Sequence, residues 1–171
     1  IIADTVIIPD NKRNSYSEKK IYLPFTYQPN SFSASSITKN FTKSEMNLPD
    51  KGFVFCCFNN SYKISLKEFN IWMRLLKRVE GSVLWLMRSN KWAENNLCKQ
   101  AEKRGIKSNR LIFANKLPYL DHLARCKLGD LFLDTFNINA HTTASDALFA
   151  GMPLITKIGK GFAARVASSI L

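Results

Sequence analysis

Acidic residues are scarce in this chain of 171: 13 Asp and Glu stand against 25 Lys and Arg, a net charge of +12. That imbalance invites a polyanion or a phosphorylated ligand as partner. Cysteine is sparse too. Four cysteines, at 56, 57, 98 and 126, show neither CxxC spacing nor the framework of a small secreted domain. Neither zinc nor disulfides are expected, and a reducing, cytoplasmic compartment fits best. No apolar run approaches the roughly 18 residues of a membrane span and no signal peptide is present, so no membrane partner is expected. There is no GxGxxG after a strand and no GxxxxGK[ST], which removes support for dinucleotide and P-loop sites. A GxSxG elbow and paired catalytic carboxylates are missing as well. Asp130 and Asp134 flank a strand as Asp-Leu-Phe-Leu-Asp, which is not a metal-binding DxD arrangement. Nucleotide binding without a metal remains.

What is present is a folded globular protein, with 46% apolar, 12% aromatic and 22% charged residues. The length suits one domain with a sizeable core plus a further segment. Residues 1–50 hold six basic and five acidic residues, net +1, and residues 51–171 hold 19 and eight, net +11. The positive residues are scattered through helix-like segments, with Lys103, Arg104, Lys107 and Arg110 as the longest cluster, and they read as solvated helix surface. The chain opens at Ile1 without Met and stops inside an apolar stretch, Ser169-Ile170-Leu171; both ends are expected to be cuts through a longer protein.

Up to residue 30, Val6-Ile7-Ile8-Pro9 and Lys20-Ile21-Tyr22-Leu23-Pro24 read as short extended pieces ended by prolines. Gln28 to Lys43, rich in Ser, Asn and Thr, is a linker or surface loop. We therefore divide the chain into an arm, 1–49, and a compact part, 50–171. From Gly52, short apolar runs alternate with amphipathic segments. Strands are expected over Gly52–Phe58, Ser82–Met87, Arg110–Ala114, Asp130–Asp134 and Pro153–Thr156. Between them fall helices from Ser65, a capping box with Glu68, then over Lys91–Arg104, Pro118–Lys127 and Thr142–Ala150, with another begun near Gly161. Trp72, Trp85 and Trp92 occupy apolar positions of two helices and a strand. Apolar strands joined by helices specify an α/β class: a Rossmann-like, doubly wound parallel sheet with helices on both faces. Ligands of such sheets bind outside the carboxyl ends of the strands.

The residues just after the strands are therefore the candidates. Asn60 and Lys63 follow the first strand, Lys63 as a possible anion partner. Leu117 and Tyr119 follow the third and lead to His122 and Arg125, an i, i+3 pair able to address one ligand. After the fourth, His141, Thr142 and Thr143 open a helix whose N-terminus attracts phosphate, and Asp146, one turn further in, can accept from a ribose hydroxyl.

Phe58-Asn59-Asn60-Ser61-Tyr62-Lys63-Ile64, Ser82-Val83-Leu84-Trp85-Leu86, and Asp134-Thr135 followed by His141-Thr142-Thr143-Ala144-Ser145-Asp146-Ala147-Leu148 and Gly151-Met152-Pro153 resemble the protein O-GlcNAc transferase (SPINDLY-like) family. The arm resembles its bacterial branch through Ile2-Ala3-Asp4, Tyr16-Ser17-Glu18-Lys19 and Tyr22-Leu23-Pro24. The resemblance implies a GT-B glycosyltransferase, two Rossmann-like domains facing across a cleft, that moves N-acetylglucosamine from UDP-GlcNAc to protein Ser or Thr hydroxyls, with inversion and no required metal or other cofactor. This chain would be most of the donor-binding C-terminal domain, preceded by the end of the other half. That half, and TPR repeats that recruit the protein acceptor, would lie before Ile1. By the same likeness Lys63 carries the catalytic role at the UDP phosphates, His141, Thr142 and Thr143 form the phosphate-binding turn, Asp146 meets the ribose, Leu117 through its backbone, His122 and Arg125 surround the uridine, and Asn60 and Tyr119 are further donor-binding positions. Asn60 and Tyr119 depart from the Gln and Lys of animal members. The alternatives are a nucleic-acid-binding module, which needs cations interleaved with exposed aromatics on one face, and a transferase of the same fold using another nucleotide sugar.

Overall fold

Six residues in a row from Phe53 to Phe58 carry no polar side chain, and the chain has one economical way to bury both sides of such a run: as a central strand. In the computed structural model, which describes residues 1–31 and 37–171, β3 (Val54–Cys57) takes that place and is buried throughout. Two short strands of the arm precede it, β1 (Ile2–Ala3) and β2 (Ile21–Tyr22), which pair parallel with each other. After it come α1 (Leu66–Arg78), β4 (Val83–Met87), α2 (Lys91–Glu102), β5 (Leu111–Ala114), α3 (Tyr119–Cys126), β6 (Leu131–Leu133), α4 (Thr142–Phe149), β7 (Leu154–Ile155) and α5 (Val166–Ile170). The strands are shorter than the apolar runs suggested, because the flanking residues turn into caps and loops.

The main sheet has the order β5-β4-β3-β6-β7, and every neighbouring pair is parallel. The chain starts in the middle, runs to one edge, then crosses back to β6 beside β3. Where the order reverses, the loops after β3 and β6 leave in opposite directions and open a crevice at their carboxyl ends.

Alternation along the strands splits the core in two. Phe55, Cys57, Leu84 and Leu86 pack under Phe69, Trp72, Met73 and Leu76 of α1 and Ala101 of α2. Cys56, Phe58, Trp85 and Phe132 pack against Ala144 and Ala147 of α4. Helix α1 begins as its sequence requires: Glu68 accepts the Ser65 backbone N–H at 2.6 Å, closing the capping box. Gly105, at φ 74°, ends α2 in the left-handed conformation that glycine adopts without steric cost.

Two expectations need correction. Trp92 is 80% exposed and not in the core. The buried phase of α2 runs through Leu97 and Ala101, and residue 92 lies on the opposite side of the helix. Val6-Ile7-Ile8 is a turn, not an extended piece, because Asp4 Oδ1 accepts the N–H groups of Val6 and Ile7 at 2.8 Å and the Asp4 carbonyl that of Ile8 at 3.0 Å. Asp4 is buried, and its other oxygen takes the Tyr27 N–H at 2.7 Å and the Ser169 hydroxyl. Ala3, Ile7 and Ile8 thereby form a small core with Val166 of α5. Of the Gln28–Lys43 linker, residues 32–36 lie outside the described residues, and its other residues have no regular structure before Lys43.

Candidate functional site

The crevice at the switch point is floored by a buried polar lattice. Asn59, directly after β3, donates through Nδ2 to Thr135 Oγ1 at 2.8 Å and Asp134 Oδ1 at 3.2 Å, across to the end of β6. Its Oδ1 accepts from the Thr143 hydroxyl at 2.8 Å. Asp134 Oδ1 also takes the N–H of Thr135 and Ala140 at 2.8 and 2.6 Å, and Oδ2 takes the Thr156 hydroxyl at 2.6 Å. Burial pushes the Asp134 carboxyl above its ordinary value, and these donors pull it back. One side chain two residues past β3 thus fixes where the β6–α4 loop and the first turn of α4 stand.

Above the lattice lies a cavity of about 210 Å³ lined by Phe58, Asn59, Asn60, Lys63, His141, Thr142 and Thr143. Lys63 closes a single 3₁₀ turn, Ser61–Lys63, which carries its ammonium to the other loop, where Nζ donates to the Asn139 carbonyl at 3.1 Å. His141 is the N-cap of α4 but caps nothing with its side chain, so the helix start is left to its first-turn N–H groups and the Thr142 and Thr143 hydroxyls. Burial and then nearby Lys63 push the imidazole pKa below its ordinary value, while a bond to the Ala163 backbone works the other way; Nε2 is buried without a partner among the described residues. A cation, two hydroxyls and a helix N-terminus around one cavity suit a phosphate or diphosphate.

Beside it, α3 and α4 hold the remaining candidates in a different arrangement from the expected one. Tyr119 donates its hydroxyl to Asp146 Oδ1 at 3.0 Å, so the side chain that departs from the animal pattern orients the carboxylate assigned to the ribose. Burial first, then Asp146, pushes the Tyr119 phenol up to about 12, and burial raises the Asp146 carboxyl. His122 and Arg125 do not present two free groups to one ligand. Arg125 is 1% exposed; Nε donates to His122 Nδ1 at 3.0 Å, Nη1 donates to the Asn115 carbonyl, and Cζ lies 5.1 Å from the Phe58 ring centroid. His122 Nδ1 is therefore an acceptor and the proton sits on Nε2, with the pKa brought down to about 4 by burial and then by Arg125. Arg125 positions His122 and the loop that leads to Leu117; with Leu117 it lines a separate cavity of about 90 Å³.

The structure gathers Asn60, Lys63, His141, Thr142 and Thr143 at one cavity, pairs Tyr119 with Asp146, and places Leu117, His122 and Arg125 at a third position. Sequence reasoning missed Asn59, Asp134 and Thr135 as members of the site. The available signal was polar side chains placed immediately after fully apolar strands. A larger concavity, about 850 Å³, lies at the opposite end of the sheet, around Ser82, Val83, Arg110 and Ile112. It lies on the amino side of the strands, away from the polar lattice. Among the described residues no three His, Cys, Asp or Glu side chains are grouped to hold a metal ion, and no helix is long and apolar enough to cross a membrane.

Comparison with known proteins bears on the family and the fold. The chain is 34% identical over 175 residues to the Arabidopsis thaliana "Probable UDP-N-acetylglucosamine--peptide N-acetylglucosaminyltransferase SEC", covering 99% of this chain and 18% of that protein. It is 37% identical over 130 residues to the Caenorhabditis elegans UDP-N-acetylglucosamine--peptide N-acetylglucosaminyltransferase, covering 76% of this chain and 11% of that one. It thus spans less than a fifth of the length of these relatives. The structure of a Thermobaculum terrenum O-GlcNAc transferase mutant superposes with a TM-score of 0.86 at 26% identity, over 99% of this chain and 32% of that one. An Anabaena protein, Alr3699/HepE, solved with UDP and glucose, shares the fold alone, with a TM-score of 0.50 at 17% identity over 89% of this chain and 46% of that one. The profile of Glycosyl transferase family 41 matches residues 28–171, and the chain belongs to that family, with a sheet and helices that match one part of a GT-B fold.

Proposed function

We propose that this chain is the donor-binding part of an inverting glycosyltransferase that moves N-acetylglucosamine from UDP-GlcNAc to Ser or Thr hydroxyls of proteins. The observation that carries the proposal is the meeting of Lys63 with His141, Thr142 and Thr143 at one cavity where the strand order reverses. As the sugar leaves, negative charge gathers on the diphosphate. The Lys63 ammonium and the α4 N-terminus, fixed in place through Asn59, stabilise that charge without having to reorganise. This arrangement supplies the positive field locally, which supports transfer without a metal or other cofactor. Asp146, oriented by Tyr119, accepts from the ribose, and the region of Leu117 and His122 receives the uridine, with Arg125 acting through His122.

The base and part of the sugar site come from an N-terminal half, and TPR repeats recruit the protein acceptor; the enzyme works in the cytoplasm. On its own the chain binds UDP weakly and does not turn over. A nucleic-acid module is disfavoured because Trp72 and Trp85 are buried and offer no stacking platform. Use of another nucleotide sugar is tested by screening donors with the intact enzyme. Calorimetric titration of that enzyme with UDP tests the site: Lys63→Ala and Asp146→Ala each weaken binding tenfold or more, and unchanged affinity in both removes the assignment.

A further inference from the structure

The excess charge of the protein is concentrated on one side of the sheet. Residues 61–107, which contain α1 and α2, hold eleven basic and four acidic residues, 11 − 4 = +7 of the total +12. Only Arg88 among the eleven is ion-paired within the described residues, to Glu94 at 3.1 Å. Lys67, Arg74, Lys77 and Arg78 are exposed along α1, and Lys91, Lys99 and Lys103 along α2. Glu68 is consumed by its capping box, leaving Glu80 and Glu102 as the unpaired acids of the segment.

Between the two helices runs a groove of about 190 Å³ with apolar walls from Ile64, Leu66, Phe69 and Leu97. Arg104 forms its far end, with its guanidinium over the Phe69 ring at 5.5 Å and bonded to Asn70 at 2.7 Å. Leu66, at the near end of the lining, is 64% exposed, and Trp92, in the first turn of α2 and outside the lining, is 80% exposed. Trp92 stands four and eight residues before Asn96 and Gln100, which line the groove, and faces water on the side of α2 away from Leu97. The near end adjoins the donor site, because Ile64 and Leu66 follow Lys63 directly in the chain.

We infer that the α1–α2 groove docks an acidic, apolar-containing peptide segment, and that this segment belongs to the acceptor protein. The apolar walls and Trp92 take its large side chains, and the flanking unpaired lysines and arginines take its carboxylates, which matches the helix-bound groove mode of peptide recognition. A nucleic acid fits less well, since the groove offers one exposed indole and no series of stacking platforms. The acceptor assignment rests on the proposed transferase function; docking of an acidic peptide does not.

The test uses the intact enzyme and three fluorescein-labelled probes: a 14-residue peptide with Leu and Ser among Glu residues, the same peptide with Lys for Glu, and a 14-nucleotide poly-dT. Wild type binds the Glu peptide at least tenfold more tightly than the Lys peptide and the oligonucleotide, with a blue shift of Trp92 emission that is absent in Trp92→Ser. The exposed charge reversal Lys67→Glu/Arg74→Glu/Lys99→Glu lowers that affinity at least tenfold and raises KM for the same peptide as acceptor, while UDP affinity, kcat and thermal midpoint hold. Tighter binding of poly-dT with steep salt dependence, or peptide affinity unchanged by the triple reversal, overturns the proposal. Peptide binding lost with KM unchanged keeps the groove and removes the acceptor. Loss of UDP binding in wild type counts against the donor site alone.

Discussion

Where β3 and β6 meet α4, polar groups are buried and mutually bonded: Asn59, Asp134 and Thr135 are almost fully enclosed and hold the first turn of α4 in place. On the α1–α2 side, the helices cover an apolar core with the capping Glu68 enclosed, and the outer surface is dominated by cations, of which Arg88 is ion-paired, to Glu94. The first region spends its polarity on geometry and the second on field. A transferase needs both, because a leaving diphosphate requires fixed dipoles at one point, whereas capture of a charged partner benefits from a broad potential. Total charge is therefore a poor guide to the proposed donor site, whose cavity is lined by one cation, Lys63.

The sharpest way to break the contrast is to remove the Asn59 amide. Asn59→Ala leaves the Thr143 hydroxyl without its partner and takes one donor each from Asp134 and from Thr135 Oγ1, which keeps its bond to the Ile138 carbonyl, an expected loss of about 3 kcal/mol in urea unfolding. Next in size is Lys63→Ala, which leaves the fold intact and weakens UDP binding by about 1.5–3 kcal/mol, read by calorimetry.

The buried imidazole of His122 gives a pH signature. Its pKa is lowered from 6.5 to about 4 in the fold, so the unfolded chain takes up the proton first. Stability from this group is complete above pH 6.5 and falls as pH drops toward 4, by about 2 kcal/mol once partial exposure is allowed for. Asp134 and Asp146, whose carboxyls are raised, act in the opposite direction, so the His122 share is isolated by comparison with His122→Gln. Urea midpoints of that variant depend less on pH across the window. Smaller again is Thr143→Val, which removes one hydroxyl from Asn59 Oδ1 and costs about 1 kcal/mol. At the end of the scale, Trp92→Ser moves stability by less than about 0.5 kcal/mol, since the indole touches little of the core.

The fold was legible because its signals are local. The apolar runs at 53–58 and 82–87, the Ser65–Glu68 box and the glycine after α2 each state an element without reference to the rest. The residues around the 210 Å³ cavity were legible for the same reason, as each follows a strand. What did not show was how pairs of such loops interlock. Asn59 and Asp134 are 75 residues apart in sequence, and only the reversal of strand order makes them neighbours. Arg125 reads as one of a pair with His122 able to address a ligand, yet its guanidinium lies inside against Phe58 and Trp85. Trp92 shows the converse, an apolar residue whose helical phase points away from the sheet.

The most direct test of the central claim is a crystal structure of the intact enzyme with UDP bound. The diphosphate is expected at the carboxyl ends of β3 and β6, with its oxygens within hydrogen-bond reach of Lys63 Nζ and the first turn of α4 and the ribose beside Asp146. A diphosphate lodged in the wider concavity at the amino ends of β4 and β5, near Arg110, would contradict it.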